Sequence, residues 1–262
     1  MFKLIASPLL ILAATYAGRR WGPAVSGWLV AFPFISGPIA YFLILEHGAG
    51  FGLVSVGGML SGVVSDLAFL VTYSVAARRG LRPLSSLGVS LGAFFLVTAL
   101  WTAADWPVAA RAGMGLVALL VAAQVVPAKA VNERHERGSP WDLPGRMAVA
   151  AAMVLALTEA APWLGPGLTG LLSPFPVFAS ILAVASHASE GAAPAVQLLH
   201  GVVMGLFSFW GFFVGLCLAL PRCGTAWGFV LATGAALGVQ AITVRALRGE
   251  RISPPRATGR SA

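Results

Sequence analysis

Apolar runs of about 20 residues recur along almost the whole chain, which is the length of helix that crosses roughly 30 Å of hydrocarbon. Short segments between the runs hold most of the charges. Only 10% of the 262 residues are charged, against about a quarter in an average soluble domain. A chain with so few charged residues cannot form a polar, solvent-exposed surface around that many apolar helices. The sequence therefore predicts an all-α integral membrane protein.

The positions of these runs predict nine membrane spans. Their approximate bounds are 4–18, 24–45, 51–76, 84–104, 107–127, 147–162, 167–188, 195–220 and 225–246. We predict a first transmembrane repeat at 1–106, a linking helix and cytoplasmic loop at 107–146, a second transmembrane repeat at 147–249 and a disordered cytoplasmic tail at 250–262. The first span allows a second interpretation, because Lys3, an apolar stretch and Ala-Thr-Tyr-Ala at 14–17 also fit a cleaved signal peptide.

The positive charges predict the orientation of the chain. Clusters of them follow spans one, three, five and nine, and the net charge is +8. The members are Arg19, Arg20, Arg78, Arg79, Arg82, Lys129, Arg134, Arg137, Arg146, Arg245, Arg248, Arg251, Arg256 and Arg260. Because loops rich in Lys and Arg stay in the cytoplasm, the N-terminus is predicted outside and the C-terminus inside a bacterial inner (plasma) membrane. Charges scattered between spans form no basic face, so a nucleic-acid partner is not predicted.

Two parts of the sequence resemble each other at a constant shift of 143 residues, with 20–52 aligned on 163–195. Of the 50 pairs over 22–71, 14 are identical, where this composition would give roughly one in ten by chance. The clearest matches are Gly22–Pro23 with Gly165–Pro166, Phe32–Pro33 with Phe175–Pro176, Gly48 with Gly191, and Ser65 with Ser208. We therefore predict two related repeats of four helices each.

The number of spans sets the relative direction of the two repeats. The first repeat holds spans one to four, the fifth span is an extra crossing, and the second repeat holds spans six to nine. Each span of the first repeat is therefore separated from the corresponding span of the second by an odd number of membrane crossings. The second repeat is then reversed across the membrane, as in the inverted repeats of many secondary transporters. A re-entrant fifth span would instead make the two repeats parallel.

The segments RRWGPAVSGWLVAFPFISGPIAYFLILEHG and WLGPGLTGLLSPFPVFASILAVASHASEG resemble the small bacterial GlpM-like inner-membrane proteins. The likeness rests on a Gly-rich helix start, a proline at mid-helix and a glycine after it, over about thirty residues in each half. The resemblance implies that this chain is a fused, duplicated form of such a protein. It concerns location and architecture, because that family offers no catalytic residues to transfer.

Helix-breaking prolines occur in the second and seventh spans. They are Pro33 and Pro38 in one span and Pro174 and Pro176 in the other. Proline lacks an N–H and clashes with the preceding turn of a helix. Two prolines close together should therefore break the helix and leave backbone carbonyls without hydrogen-bond partners near the middle of the membrane. Interrupted helices at matching positions in two halves are typical of transporter binding sites. A packing kink is the alternative, because Gly and Pro are common in membrane helices.

Asp66 is the one acidic residue well inside a predicted span. A carboxylate there is costly unless it is paired, protonated or hydrated, which makes it a functional candidate. Ser61 and Ser65 lie within about one and a half helical turns of it and could form a polar patch. His200, in the eighth span, could face Asp66 across a pseudo-two-fold axis, and an Asp–His pair would suit proton coupling. A structural hydrogen bond between helices is the alternative for that pair.

These features favour a small ion-coupled or passive transporter or permease, with no substrate named by the sequence. The alternative is a non-transporting membrane scaffold or regulator of an envelope process. A membrane-embedded enzyme comes third and is not predicted, because the sequence has no complete catalytic motif. No P-loop for ATP is present, so any transport must be passive, ion-coupled or driven by a partner chain. No cofactor or metal site is predicted. The expected partners are the lipid bilayer and a small solute or ion, and a homo-oligomer is left open.

Overall fold

All regular secondary structure in the described part of the chain is helical. The computed structural model describes residues 16–17, 20–33, 36–103, 106–128 and 176–252. Its helices are α1 (Pro23–Val30), α2 (Ser36–Arg78), α3 (Pro83–Thr102), α4 (Val108–Val125), α5 (Val177–Glu190) and α6 (Ala192–Ile252). No strand occurs within these ranges, so the predicted all-α class is confirmed for them.

Four stretches of these helices are long and apolar enough to cross a membrane: Gly48–Arg78, Pro83–Trp101, Val108–Val125 and Ala192–Arg245. The first three coincide with the third, fourth and fifth predicted spans, and the last contains both the eighth and the ninth. Outside the described residues lie residues 4–15 of the first predicted span, the polar loop after 128, the predicted span 147–162, the first part of the predicted span 167–188 and the tail after 252. The described part therefore has the helices of a membrane protein.

Two of the helices bend at a glycine with left-handed backbone geometry. In α2 the bend lies at Gly48 (φ 85°, ψ 166°), and in α6 it lies at Gly224 (φ 72°, ψ 179°). Gly191 has the same kind of backbone (φ 93°, ψ 178°) between α5 and α6. This part of backbone space is essentially open to glycine alone, so each bend depends on its glycine.

The bends divide α2 and α6 into two segments each, named α2a (36–47), α2b (49–78), α6a (192–223) and α6b (225–252). Segments α6a and α6b form an antiparallel hairpin. Gly228 packs on Leu220 near the bend, and Gly215 packs on Ala232 further from it. Each segment has about 30 residues, which is enough to cross a bilayer.

Helix α1 crosses α6a at very close range, because the contact is made by glycines. Gly27, Gly201 and Gly205 all face backbone atoms of the other helix. A Cβ placed on Gly205 would lie 2.6 Å from the carbonyl oxygen of Trp28, and one on Gly201 would lie 2.6 Å from the carbonyl carbon of Ala24. Small residues four apart allow this kind of backbone approach between membrane helices.

The centre of the bundle is formed by α2b and α6, and α3 and α4 flank it. Of the apolar stretch in α2b, 67% is buried, against 22% in α3 and 17% in α4. The exposed side chains of the flanking helices include Leu84, Leu96, Leu100, Val117, Leu120 and Val121. A helix that is apolar on its outer face as well as its inner face is typical of a membrane span.

The two central segments α2b and α6a run in opposite directions. Gly115 of α4 packs against both Leu60 and Trp210, which puts those two residues at one level of the bundle. Tyr73, further along α2b, contacts His187, which lies just before the start of α6a. The end of α2b therefore lies beside the beginning of α6a.

The two ends of the bundle differ in the residues they carry. We call the end with the 78–83 turn and Gly191 the arginine end, after Arg78, Arg79 and Arg82, which are exposed there. The opposite end holds Gly48 and the stacked rings of Trp101 and Trp106, whose centroids are 6.1 Å apart. Tryptophan is enriched where membrane helices reach the water interface, so this pair suits the edge of a bilayer.

Candidate functional site

Asp66 lies near the middle of α2b, with only 7% of its surface exposed. Val63 and Leu70, about one turn away on either side, are fully buried. Within the described part of the chain, Oδ1 of Asp66 has no hydrogen-bond partner. The large majority of buried polar atoms in proteins are bonded, so an unbonded carboxylate oxygen at this depth requires an explanation. A bound proton, cation, water or solute would supply the missing interaction.

Ser61 and Ser65, the other members of the predicted polar patch, have partners inside the protein. Ser61 donates to the carbonyl oxygen of Gly57, 3.1 Å away on the same helix. Ser65 accepts a hydrogen bond from the hydroxyl of Thr98 at 2.8 Å, which links α2b to α3. The three polar residues therefore lie together on α2b, but the two serines take part in packing contacts.

His200 is buried in α6a, with 2% of its surface exposed. Its Nδ1 lies 2.7 Å from the carbonyl oxygen of Val126, at the end of α4. Because a carbonyl oxygen can only accept, Nδ1 must carry a proton and donate it. No hydrogen bond or ion pair between His200 and Asp66 occurs among the described residues. The structure thus gives this histidine a partner that the sequence did not suggest.

Of the four predicted helix-breaking prolines, the three that the structure describes lie where helices begin. Pro33 is buried between the end of α1 and the start of α2, and Pro38 is exposed in the first turn of α2a. Pro176 precedes α5 as its N-cap residue, and Pro174 lies outside the described residues. The carbonyl oxygen of Pro33 accepts from the N–H of Gly37 at 3.0 Å. The second predicted span is therefore broken into α1 and α2a.

Pro176 uses its carbonyl group in the same way. It accepts from the N–H of Ser180 at 2.8 Å, four residues later. In both places the proline has no N–H to leave unbonded, while its carbonyl caps the first turn of the next helix. Both α2a and α5 are short helices that end at a left-handed glycine.

A contact between Tyr73 and His187 was not predicted from the sequence. The Tyr73 hydroxyl lies 3.3 Å from Nδ1 of His187, and the ring centroids are 5.9 Å apart in an edge-on arrangement. Tyr73 is fully buried and His187 is half-buried near the end of α5. The neighbouring Ser74 and Ser186 are also buried, and their hydroxyls have no partner in the described ranges. Four polar side chains, those of Tyr73, Ser74, Ser186 and His187, therefore lie in the parts of α2b and α5 that lead to the arginine end.

A second polar cluster joins α1 to the α6 hairpin. The hydroxyl of Ser208 bonds to Oε1 of Gln240, whose Nε2 donates to the carbonyl oxygen of Trp28 at 3.5 Å. The indole N–H of Trp28 donates to Thr243 at 3.1 Å. The sequence alignment of the repeats gave one indication of this cluster, because Ser208 is the position aligned with Ser65. Both serines bond to the helix that follows them in the chain.

Among the described residues, the arrangement offers one buried carboxylate for reversible binding. Of its polar neighbours on α2b, Ser65 links two helices and Ser61 bonds within its own helix. Comparisons of the chain with protein-family models, curated proteins and solved structures found no match. The function must therefore be inferred from the residues and their geometry.

Proposed function

We propose that this protein is a small multi-pass transporter or permease of a bacterial inner membrane, with Asp66 as the group that binds the transported ion or a coupling proton. The observation that carries the proposal is the buried Oδ1 of Asp66, which has no partner among the described residues. Burying a carboxyl group in a membrane helix costs free energy, and such groups are commonly part of an ion or proton pathway. A purely structural carboxylate would be expected to bond to a neighbouring helix.

The other predicted site residues support a narrower site than the sequence suggested. Ser65 and His200 each bond to another helix, and Ser61 bonds to its own backbone. These contacts account for the two serine hydroxyls and for Nδ1 of His200. We therefore assign the binding role to Asp66 and a packing role to these three residues.

We further propose that the chain is an inverted duplication, the architecture implied by the resemblance to GlpM-like proteins. Left-handed glycines at Gly48 and Gly191 and proline carbonyl caps at Pro33 and Pro176 recur at the shift of the sequence repeat. The opposite directions of α2b and α6a agree with an inverted second copy. Duplicated, inverted halves with interrupted helices are common in secondary transporters and place the binding site between the halves.

The orientation belongs to the same proposal. We place the arginine end in the cytoplasm, because Arg78, Arg79 and Arg82 lie on the short turn between two membrane-length helices. Positive residues in short loops next to membrane spans set orientation. The C-terminal end of α6b is then also cytoplasmic.

Flux measurements in liposomes test the proposed function. Purified protein is reconstituted with an internal pH dye and challenged with a panel of small solutes. The wild-type protein should give solute-dependent pH changes that Asp66→Asn lacks, because an amide cannot exchange the proton. If folded wild-type protein gives no flux with any solute, the transporter proposal fails and a scaffold or regulatory function replaces it.

A further inference from the structure

We propose that the contact between Tyr73 and His187 closes an access route from Asp66 to the arginine end of the bundle. The inference rests on the proposed function, since it concerns how an ion or solute reaches Asp66. It also makes a statement about water access that can be tested without knowing the substrate.

Tyr73 and Asp66 lie on one face of α2b. They are seven residues apart, which on an α-helix is close to two full turns and a rise of about 10 Å. Helical side chains lean toward the N-terminal end of their helix, so the Tyr73 ring covers the turn that separates it from Asp66. Its hydroxyl is held by His187 of α5 at 3.3 Å. The half-buried His187 thus lies between Tyr73 and the solvent at the arginine end.

Among the described residues of α2b, buried polar atoms without a hydrogen-bond partner continue from Asp66 only toward the arginine end, because Ser65 and Ser61 on the other side of Asp66 are both bonded. Toward the arginine end come Tyr73 and Ser74, and the Ser74 hydroxyl is buried without a partner in the described chain. Toward the opposite end, Val63, Met59 and Val56 are buried and apolar. Water inside a protein is held by buried polar atoms that lack a protein partner, whereas apolar cavities stay dry.

At the shift of the sequence repeat, Asp66, Tyr73 and His187 each lack a polar counterpart in the other half of the chain. At the shift of 143 residues, the aligned partners are Phe209 for Asp66, Leu216 for Tyr73 and Ile44 for His187. All three partners are apolar and buried. If the halves are inverted, the aligned positions face the opposite end. The opposite end would then have the apolar residues Leu216 and Ile44 where the arginine end has the polar contact between Tyr73 and His187. The access route to Asp66 would therefore lead to the arginine end only.

Cysteine labelling tests this route. In a background with Cys217→Ala and Cys223→Ser, a single Leu70→Cys replacement puts a thiol between Asp66 and Tyr73. A membrane-impermeant maleimide is then added from each side of oriented vesicles, since only a hydrated thiol ionises and reacts. Arg79→Cys, on the exposed turn of the arginine end, reports which side that end occupies.

Opening the contact should raise the labelling rate of Leu70→Cys from the side that labels Arg79→Cys. Tyr73→Phe should raise it about five-fold, the factor expected for losing one neutral hydrogen bond. His187→Ala should raise it further, because the whole ring is removed. Two variants are used so that the result does not depend on one of them folding. Each variant is used only if it elutes from a chromatography column as a single species at the same position as the single-cysteine protein without that replacement.

Val56→Cys is the matched control, because it is as buried as Leu70 and equally far from the other end of α2b. Its labelling should stay at background in both variants. The proposal is overturned if Leu70→Cys labelling does not change, or if it rises equally from both sides. It is also overturned if Val56→Cys labelling rises by the same factor, which would mean general loosening. A loss of transport in Asp66→Asn with no change in labelling would leave the proposed function intact and reject only the route.

Discussion

Gly48 and Gly191 lie 143 residues apart in the sequence, and their backbones have nearly the same left-handed geometry, with φ values of 85° and 93° and ψ values of 166° and 178°. Each glycine ends a short helix and begins one of the two central segments of the bundle. Pro33 and Pro176, separated by the same shift, each cap the short helix that leads to the glycine. Two independent backbone features therefore support the proposed duplication.

The first prediction concerns these glycine bends. Gly48→Ala and Gly191→Ala should each lower stability by about 1–3 kcal/mol, because a Cβ is strained in this backbone region. Apparent Tm in detergent is the measurement, and both variants should shift it downward by similar amounts. Gly50→Ala is the control, since a Cβ at Gly50 meets nothing within 4 Å and needs no unusual φ. A Gly48→Ala variant as stable as Gly50→Ala would contradict the assignment of the bend.

The second prediction concerns the close crossing of α1 and α6a. Gly201→Ala should destabilise the protein by about 1–3 kcal/mol, because the new methyl would overlap backbone atoms of Ala24 that cannot rotate away. Gly234→Ala, in the open part of α6b, should be neutral or slightly stabilising, because alanine is the better helix former. Thermal unfolding of the two variants side by side measures the difference. Equal Tm values would mean that α1 does not pack on α6a at this distance.

The third prediction concerns the hydrogen bond between Ser65 and Thr98. Ser65→Ala, Thr98→Val and the double variant should show a coupling energy of about 0.6 kcal/mol, the average for such bonds between membrane helices. Ser90→Ala is the matched control, because the Ser90 hydroxyl bonds only to the carbonyl oxygen of Ser86 among the described residues. Its double-mutant cycle with Thr98→Val should give no coupling. Additive effects of Ser65→Ala and Thr98→Val would show that this bond does not stabilise the helix pair.

Several features of the fold could be predicted from the sequence, because they depend on local chemistry. The length and apolarity of Gly48–Arg78 predict a membrane helix wherever it packs. Pro33 interrupts a helix because its ring lacks an N–H, and the break between α1 and α2 is found there. The chemical cost of burying a carboxylate identified Asp66 as a candidate in the same way.

The partners of the candidate site residues could not be predicted, because they depend on how helices rotate against each other. In a soluble protein the apolar face of a helix indicates its inner face, but these helices are apolar all round. From the sequence, His200 could face Asp66, whereas in the structure its Nδ1 bonds to the carbonyl oxygen of Val126. The Tyr73–His187 contact was missed for the same reason, since it joins helices far apart in the sequence.

The fourth prediction concerns orientation. In a cysteine-free background, Arg79→Cys and Arg245→Cys should react with an impermeant maleimide added from the cytoplasmic side only. Trp106→Cys and Arg222→Cys should react from the other side only. All four positions are exposed, so burial does not limit their reaction. Labelling of Arg79→Cys and Arg222→Cys from the same side would contradict the proposed threading.

The role of Asp66 is tested most directly by solute-dependent proton movement in liposomes with an internal pH dye. Wild type, Asp66→Asn and Asp66→Glu are compared, with Ser90→Ala as a control that removes a buried hydroxyl elsewhere. Each protein must be shown to be folded and incorporated in equal amounts. We expect flux from wild type and Ser90→Ala, reduced flux from Asp66→Glu and none above protein-free liposomes from Asp66→Asn. Equal flux from Asp66→Asn and wild type would contradict the central claim that this carboxyl group binds the transported ion or coupling proton.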